Sequence, residues 1–159
     1  PPRSTLFPYT TLFRSDFLPD IIGNAIESGT IYYSAGDAKI NFATRINMAE
    51  ANAVVLADPT SHQNKVYEIT SGNTYTFDEI AAMLSEITGK QIKYADVPTE
   101  ALKENIVKTG MPNEVAKLMA SIAESMKVGE FNYYDPALEN LLKRKPMDLK
   151  EFLKGVYQK

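Results

Sequence analysis

Several residue types are missing or rare in this 159-residue sequence, and each absence removes a class of function. There is no cysteine, which excludes a disulfide framework and thiolate catalysis. With one histidine, His62, the sequence offers few ligands for zinc or haem, so we expect no metal site. His62 lies in the polar stretch SHQNK, where a solvated loop residue is expected rather than a general base.

Long apolar runs and an excess of positive charge are also missing. No stretch approaches the roughly 18 apolar residues needed to cross a bilayer. The formal net charge is -3, with 17 basic and 20 acidic residues. A mildly acidic chain lacks the basic surface that binds nucleic acid or anionic membranes. The composition therefore predicts a soluble, cytoplasmic protein with no nucleic-acid or membrane partner.

The sequence contains no motif that identifies a reaction. Neither GxGxxG nor GxxxxGK[ST] occurs, so no phosphate-binding loop is predicted. There is no GxSxG nucleophile motif, and no tyrosine is followed four residues later by lysine. Glu50, Glu79 and Glu151 have the spacing of helix-capping partners rather than of a catalytic pair. The catalytic residues are therefore unknown from sequence.

The first fifteen residues, PPRSTLFPYTTLFRS, differ from the rest of the chain. They include no acidic residue, and their leucines and phenylalanines come in adjacent pairs without a helical or strand period. In one reading frame, every position matches the translation of a standard sequencing-library adapter. We interpret residues 1–15 as an artefactual or disordered segment, the alternative being a natural Pro-rich arm. The protein would then be residues 16–159, joined in mid-frame, with its N-terminal part missing.

After residue 15, helical and strand patterns alternate, which predicts an α/β fold. Four short strands are predicted, at 31–35, 39–43, 66–70 and 91–97. Seven helices, counted with their caps, are predicted at 17–28, 47–58, 76–89, 99–110, 112–126, 135–142 and 148–156. This strand content is low for a complete domain, and it is typical of the C-terminal part of a larger α/β protein.

The stretch GDAKINFATRINMAEA is the most informative. Asn47 and Glu50 predict an Asn version of the capping box at the start of a helix. Arg45 precedes them at a strand-to-helix junction, where ligand-contacting residues often lie. We predict that Phe42, Thr44 and Arg45 lie near substrate or cofactor. Purely structural roles, such as a guanidinium–carboxylate pair within the scaffold, are the alternative.

Three segments resemble the C-terminal half of NmrA-like proteins, which are atypical short-chain dehydrogenase/reductases. They are the ATR-x-[DN]-x-A turn at 43–49, the KVYEIT strand with the T-F-D-E helix start after it, and an RKP-x-x-L-x-x-F pattern from Arg144. The nearest subgroup is the bacterial NAD(P)H:quinone oxidoreductase type, and the resemblance runs from about residue 16 to 159. The family commonly has Asp where this chain has Asn47, so any charge pairing of that Asp is lost.

The resemblance implies the C-terminal part of a Rossmann-like NAD(P)-binding fold. Residues 66–70 would be the last strand of the main sheet, and the rest a small, mostly helical substrate lobe. The full-length protein would be an NAD(P)H-dependent oxidoreductase that reduces quinones or similar small carbonyl compounds. The alternative is a non-catalytic NAD(P)-sensing regulator.

The resemblance also implies that the glycine-rich half that binds the nucleotide is missing. We therefore expect the fragment alone to be inactive and to bind no cofactor. A strand and helices that have lost their neighbours expose backbone and apolar surface, which predicts self-association. A third possibility, a free-standing interaction domain, requires residues 1–15 to be genuine.

Overall fold

The computed structural model describes residues 15–158. After a 3₁₀ turn at Ser15–Phe17, this part of the chain contains eight α-helices and four short strands. The helices are α1 (Leu18–Ile22), α2 (Ala25–Ser28), α3 (Arg45–Ala57), α4 (Phe77–Thr88), α5 (Thr99–Lys108), α6 (Asn113–Lys127), α7 (Ala137–Leu142) and α8 (Leu149–Tyr157). The strands are β1 (Thr30–Tyr33), β2 (Ile40–Asn41), β3 (Thr74–Tyr75) and β4 (Lys93–Asp96). None of the helices described is long and apolar enough to cross a membrane.

The four strands form two separate pairs. Strands β1 and β4 are parallel, with Ile31 opposite Tyr94, whereas β2 and β3 are antiparallel, with Ile40 opposite Tyr75. A parallel pair needs a long crossover, and the chain between β1 and β4 includes helices α3 and α4. The fold is therefore mixed α/β with little strand, as the sequence predicted.

The main hydrophobic core lies between the β1–β4 pair and helix α4. Phe77, the first residue of α4, is completely buried, and its ring centroid lies 4.9 Å from that of Tyr33 and 5.4 Å from that of Tyr94. Leu18 of α1 and Leu153 of α8 are also completely buried in this core. The aromatic contacts thus join the helix to both strands of the parallel pair.

A second, smaller core lies between helices α3 and α7. Its buried residues are Ala43, Ala51, Leu138 and Leu141. Because two of these four are alanines, the fully buried residues contribute less apolar area there than in the main core.

Helix α4 has the boundaries that the sequence predicted. The hydroxyl of Thr76 accepts a hydrogen bond from the Glu79 N–H (3.2 Å), and the Glu79 carboxylate accepts one from the Thr76 N–H (2.8 Å). The capping box is therefore confirmed. The helix ends at Gly89, whose φ of +69° is the left-handed conformation that glycine adopts most easily.

Helix α3 begins earlier than predicted. Thr44, not Asn47, is the N-cap, and its hydroxyl accepts a hydrogen bond from the Asn47 N–H at 3.2 Å. Both residue types cap helices well, but Thr44 has the extended backbone that a cap requires, so Asn47 becomes the third helical residue. The predicted capping role of Glu50 is likewise wrong.

Three other expectations differ from the structure. The helix predicted at 17–28 is interrupted at Gly23, where φ is +54°, and becomes α1 and α2. Helix α5, counted with its N-cap Pro98, begins one residue before the predicted start at 99, whereas α6 begins at its N-cap Pro112 as predicted. The strand predicted at 66–70 is not a strand here, because no neighbouring strand pairs with it among residues 15–158.

The start of the described chain is part of the fold. Ser15 is completely buried, and its N–H donates to the carbonyl oxygen of Ala43 at 3.1 Å. The last residue of the predicted artefactual segment is thus integrated into the structure. Residues 1–14 lie outside the described residues, so their interpretation stays a prediction.

The capping box of α4 gives a first testable prediction. Thr76→Ala should lower the free energy of unfolding by about 1 kcal/mol, because the amide at the helix start loses its partner. For a chain of this size that corresponds to a decrease of about 2–4 °C in melting temperature. Thermal unfolding followed by circular dichroism measures it. Thr60→Ala, in an exposed loop, is the control, and an equal decrease in both variants would contradict the assignment.

Candidate functional site

The three candidate residues lie between the end of β2 and the first residue of α3, in different surroundings. Phe42, 2% exposed, belongs to the main core. Thr44 is also buried and caps α3. Arg45, the first residue of α3, has a side chain that is 68% exposed. Of the three, Arg45 is the residue whose side chain reaches the surface, and their role near a ligand stays a prediction.

Asp16 occupies the N-terminus of α3. Its carboxylate accepts a hydrogen bond from the Arg45 N–H at 3.0 Å, and the Arg45 Nε lies 4.0 Å from the other carboxylate oxygen. A carboxylate is favourable at this end of a helix. The ion pair is exposed and weak, so it leaves most of the Arg45 guanidinium open to solvent.

Asn41 fixes the other side of this turn. Its side-chain Nδ2 donates to the Ser71 carbonyl oxygen at 2.9 Å, and its Oδ1 accepts from the Ser71 N–H at 2.6 Å. Because Asn41 is buried, these bonds hold β2 firmly against the loop that leads to β3. Sequence reasoning missed this role, since the partner is 30 residues away.

Arg144 links the start of α3 to the connection between α7 and α8. Its guanidinium donates to Asn47 Oδ1 at 3.2 Å and also to the Glu50 carboxylate. Asn47 is 1% exposed, and its Nδ2 has no hydrogen-bond partner among the residues that the structure describes. The turn motif and the RKP pattern noted in the sequence therefore meet in space, and Glu50 serves as an ion-pair partner.

Tyr94 lies beside a lysine–carboxylate pair, but it is not arranged as a proton donor. Its hydroxyl accepts from the Ala35 N–H (3.1 Å) and lies 3.0 Å from Asp96 Oδ1, which is 3.9 Å from Lys127 Nζ. Burial and the Asp96 carboxylate raise the pKa of Tyr94 above its usual 10. Since a catalytic acid needs a pKa near the working pH, we assign Tyr94 to holding the turn after β1.

Tyr33 has a buried hydroxyl without a partner among residues 15–158. Burial raises the pKa of this hydroxyl to about 12. The ring contributes to the main core, and the hydroxyl adds no hydrogen bond within the described chain.

A shallow groove of about 380 Å³ lies beside α7. His62 is half-buried at its edge rather than fully solvated, and its Nδ1 lies 2.6 Å from the Tyr67 hydroxyl. Asp135, Asn140 and Leu141 are among the other lining residues. Neither a nucleophile–base pair nor, within the described chain, a group of three or more potential metal ligands is present to make it a reaction centre.

Comparison with known proteins identifies the family. The model of the NmrA-like family matches residues 20–155. The chain belongs to the NmrA-like family. The resemblance drawn from the turn, strand and RKP motifs is thereby confirmed.

Several proteins similar to this NmrA-like chain are reductases. It is 33% identical to quinone oxidoreductase 2 of Escherichia coli over 96 residues, which are 60% of this chain and 33% of that protein. An NADPH-dependent quinone oxidoreductase of E. coli, solved with NADPH, superposes with a TM-score of 0.86 at 26% identity, covering 91% of this chain and 51% of that one. Triphenylmethane reductase of Citrobacter sp. gives 0.80 at 30% identity, covering 95% and 50%.

These comparisons confirm the predicted fold class. The mixed α/β arrangement, with its parallel strand pair, matches part of the fold of NADPH-dependent reductases. The NmrA-like chain spans a third of the matched sequence and about half of each solved chain. This partial coverage does not establish the activity of a whole protein that contains the chain.

In this NmrA-like chain, Asp148 forms the N-cap of α8. Its carboxylate accepts hydrogen bonds from the Tyr75 hydroxyl, the Asn73 amide (3.1 Å) and the Lys150 N–H (2.9 Å). Burial alone would raise the pKa of Asp148, but these bonds outweigh it and hold the pKa below the usual 3.8. Burial, together with Asp148, raises the pKa of Tyr75 to about 12.

The contacts of Arg144 with Asn47 and Glu50 give a second prediction. Asn47→Asp should raise the stability by about 0.5–1 kcal/mol, because a carboxylate would face the Arg144 guanidinium in the first turn of α3. Asn52→Asp, exposed on the same helix, is the control, with no gain expected.

A double-mutant cycle with Arg144→Gln isolates the cause, since the gain from Asn47→Asp should vanish when the guanidinium is absent. Chemical denaturation measures all four proteins. A gain that persists without Arg144 would contradict the explanation.

Asp148 gives a third prediction, on pH. The folded-state pKa is below that of the unfolded chain, so its contribution to stability is present above the unfolded pKa of 3.8 and is lost as the pH falls through the folded value. The melting temperature of the wild type should therefore fall more steeply below about pH 4 than that of Asp148→Asn, whose amide still caps the helix. Asp37→Asn, at an exposed turn, should follow the wild type. Parallel curves for the wild type and Asp148→Asn would contradict this account.

Proposed function

We propose that this chain is the substrate-side part of an NAD(P)H-dependent oxidoreductase that reduces quinones or similar small carbonyl compounds. The observation that supports this proposal is the likeness to E. coli quinone oxidoreductase 2, which is found in both sequence and structure. When bound, NAD(P)H supplies the hydride for such a reduction.

The described residues do not fit the pyrophosphate of the cofactor. Helices α4, α5, α6 and α8 each have an acidic residue in the first turn, and at α3 the first N–H is already bonded to Asp16. Acidic side chains at these positions repel phosphate. We therefore propose that the nucleotide is held by a separate half of the enzyme, in agreement with the absence of a GxGxxG turn from these 159 residues.

The contribution of this chain would be the turn from Phe42 to Arg45. Phe42 is packed into the main core and would shape the wall beneath the substrate, while Thr44 sets the direction of α3. We assign a ligand contact to Arg45, because its guanidinium is exposed and suits a quinone oxygen.

A chimera tests this function. The region of E. coli quinone oxidoreductase 2 that this chain does not match would be placed before residue 15, and NADPH oxidation with menadione followed at 340 nm. We expect turnover by the chimera, and neither turnover nor micromolar NADPH binding by the 159-residue chain alone. NADPH binding without quinone turnover would favour the regulator alternative, and micromolar binding by the chain alone would contradict the proposed division.

The same chimera tests Arg45. Arg45→Gln should raise the KM for menadione several-fold with a melting temperature close to that of the parent, because the exposed pair with Asp16 contributes at most about 1 kcal/mol. Phe42→Ala is the contrasting variant, since emptying a core position costs about 3–5 kcal/mol. An unchanged KM in Arg45→Gln would remove this residue from the substrate site.

A further inference from the structure

One carboxylate meets both features of the α3 N-terminus that would attract an anion. Asp16 Oδ2 accepts a hydrogen bond from the Arg45 N–H at 3.0 Å, and Asp16 Oδ1 lies 4.0 Å from Arg45 Nε. The first contact occupies an N–H of the kind that binds anions at helix starts, and the second places a negative charge beside the guanidinium. A free anion that approaches Arg45 is therefore repelled by a carboxylate that already faces both positive groups.

The residues on either side of Asp16 hold it in this position. Ser15 is completely buried, and its N–H donates to the Ala43 carbonyl oxygen at 3.1 Å. Leu18 is completely buried in the main core. The Asp16 side chain is 29% exposed, whereas that of Arg45 is 68% exposed. The fold thus fixes the carboxylate at the start of α3, while most of the guanidinium remains accessible to a ligand.

The next charges along α3 balance each other as well. The first turn of the helix contains no acidic residue, and Glu50 in the following turn accepts a hydrogen bond from Arg144. The start of α3 therefore brings together two arginines and two carboxylates. Such a surface offers guanidinium N–H donors to an uncharged oxygen but no excess positive charge to an anion.

We propose that Asp16 is a specificity-determining residue that restricts the Arg45 contact to electrically neutral quinones and carbonyl compounds. Substrates that carry a carboxylate or a sulfonate are excluded. This inference rests on the proposed function, in which Arg45 contacts the substrate. Without the charge of Asp16, the guanidinium would lack its counter-charge and would attract anionic substrates.

The alternative role of Asp16 is purely structural, since a carboxylate at a helix N-terminus also stabilises the helix. That role predicts a change in stability when Asp16 is replaced, with no change in the preference between neutral and anionic substrates. Substrate preference is therefore the measurement that separates the two roles.

The test uses the chimera described above and two quinones of similar shape. One is menadione, and the other is a naphthoquinone sulfonate, in which a sulfonate replaces the methyl group of menadione. The ratio of kcat/KM for the sulfonate to kcat/KM for menadione should rise about two- to fivefold in Asp16→Asn, the range expected for an exposed charge pair. The asparagine side-chain oxygen still accepts a hydrogen bond from the Arg45 N–H, so the variant removes the charge and keeps the contact.

Two further measurements assign the effect to Arg45. In the Arg45→Gln background, Asp16→Asn should leave the ratio unchanged, because no guanidinium is present to attract the sulfonate. The gain should also shrink at high salt, which screens exposed charges. Asp78→Asn, which removes an exposed carboxylate from the first turn of α4, is the control and should keep the ratio of the parent. Circular dichroism checks that each variant is folded.

An unchanged ratio in a folded Asp16→Asn variant would overturn the proposal, as would a gain that persists without Arg45 or an equal gain in Asp78→Asn. If the chimera binds the quinones without reducing them, the reductase proposal fails, and the ratio of the two dissociation constants tests Asp16 in the same way. A chimera that neither binds nor reduces either quinone rejects both proposals.

Discussion

The burial of Phe77 between Tyr33 and Tyr94 is the contact on which most of this fold depends. Strands of four residues form a weak pair by themselves, and the ring joins both of them to α4. The capping box places Phe77 at the first helical position, so a local signal at Thr76 determines where the central side chain enters the core. The hydroxyl of Tyr94 also accepts a hydrogen bond from the Ala35 N–H, which holds the turn that follows β1.

The second core follows a different principle. Two of its four fully buried residues are alanines, and polar side chains connect this region to neighbouring segments. Asn41 joins β2 to the loop before β3, and Arg144 joins the α7–α8 connection to α3. Such contacts specify geometry more than they add stability.

The sequence predicted the elements whose signals are local. The capping box and Gly89 defined α4, a short β-prone run located β1, and alternation of apolar residues located β4. Prediction was wrong where two local signals compete: Thr44 and Asn47 are both good caps, and the choice depends on backbone conformation that the sequence does not display. The predicted strand at 66–70 has the correct alternation, but a strand exists only with a neighbour.

The candidate site was less predictable, because its contacts join distant segments. The turn from Phe42 to Arg45 was located from its place before a helix, but the burial of Phe42 depends on the complete core. The pairing of Arg144 with Asn47 and Glu50 spans 94 to 97 residues. Their residue types were visible as family motifs, and only the fold shows that they touch.

The two hydrogen bonds between Thr70 and Asp135 connect segments that are far apart in the sequence. They attach Asp135, just before α7, to the end of the 66–70 segment. After α7 the chain reaches Arg144, which donates a hydrogen bond to Asn47 in the first turn of α3. The end of the 66–70 segment and the first turn of α3 are thus joined through one short helix and its two flanking contacts.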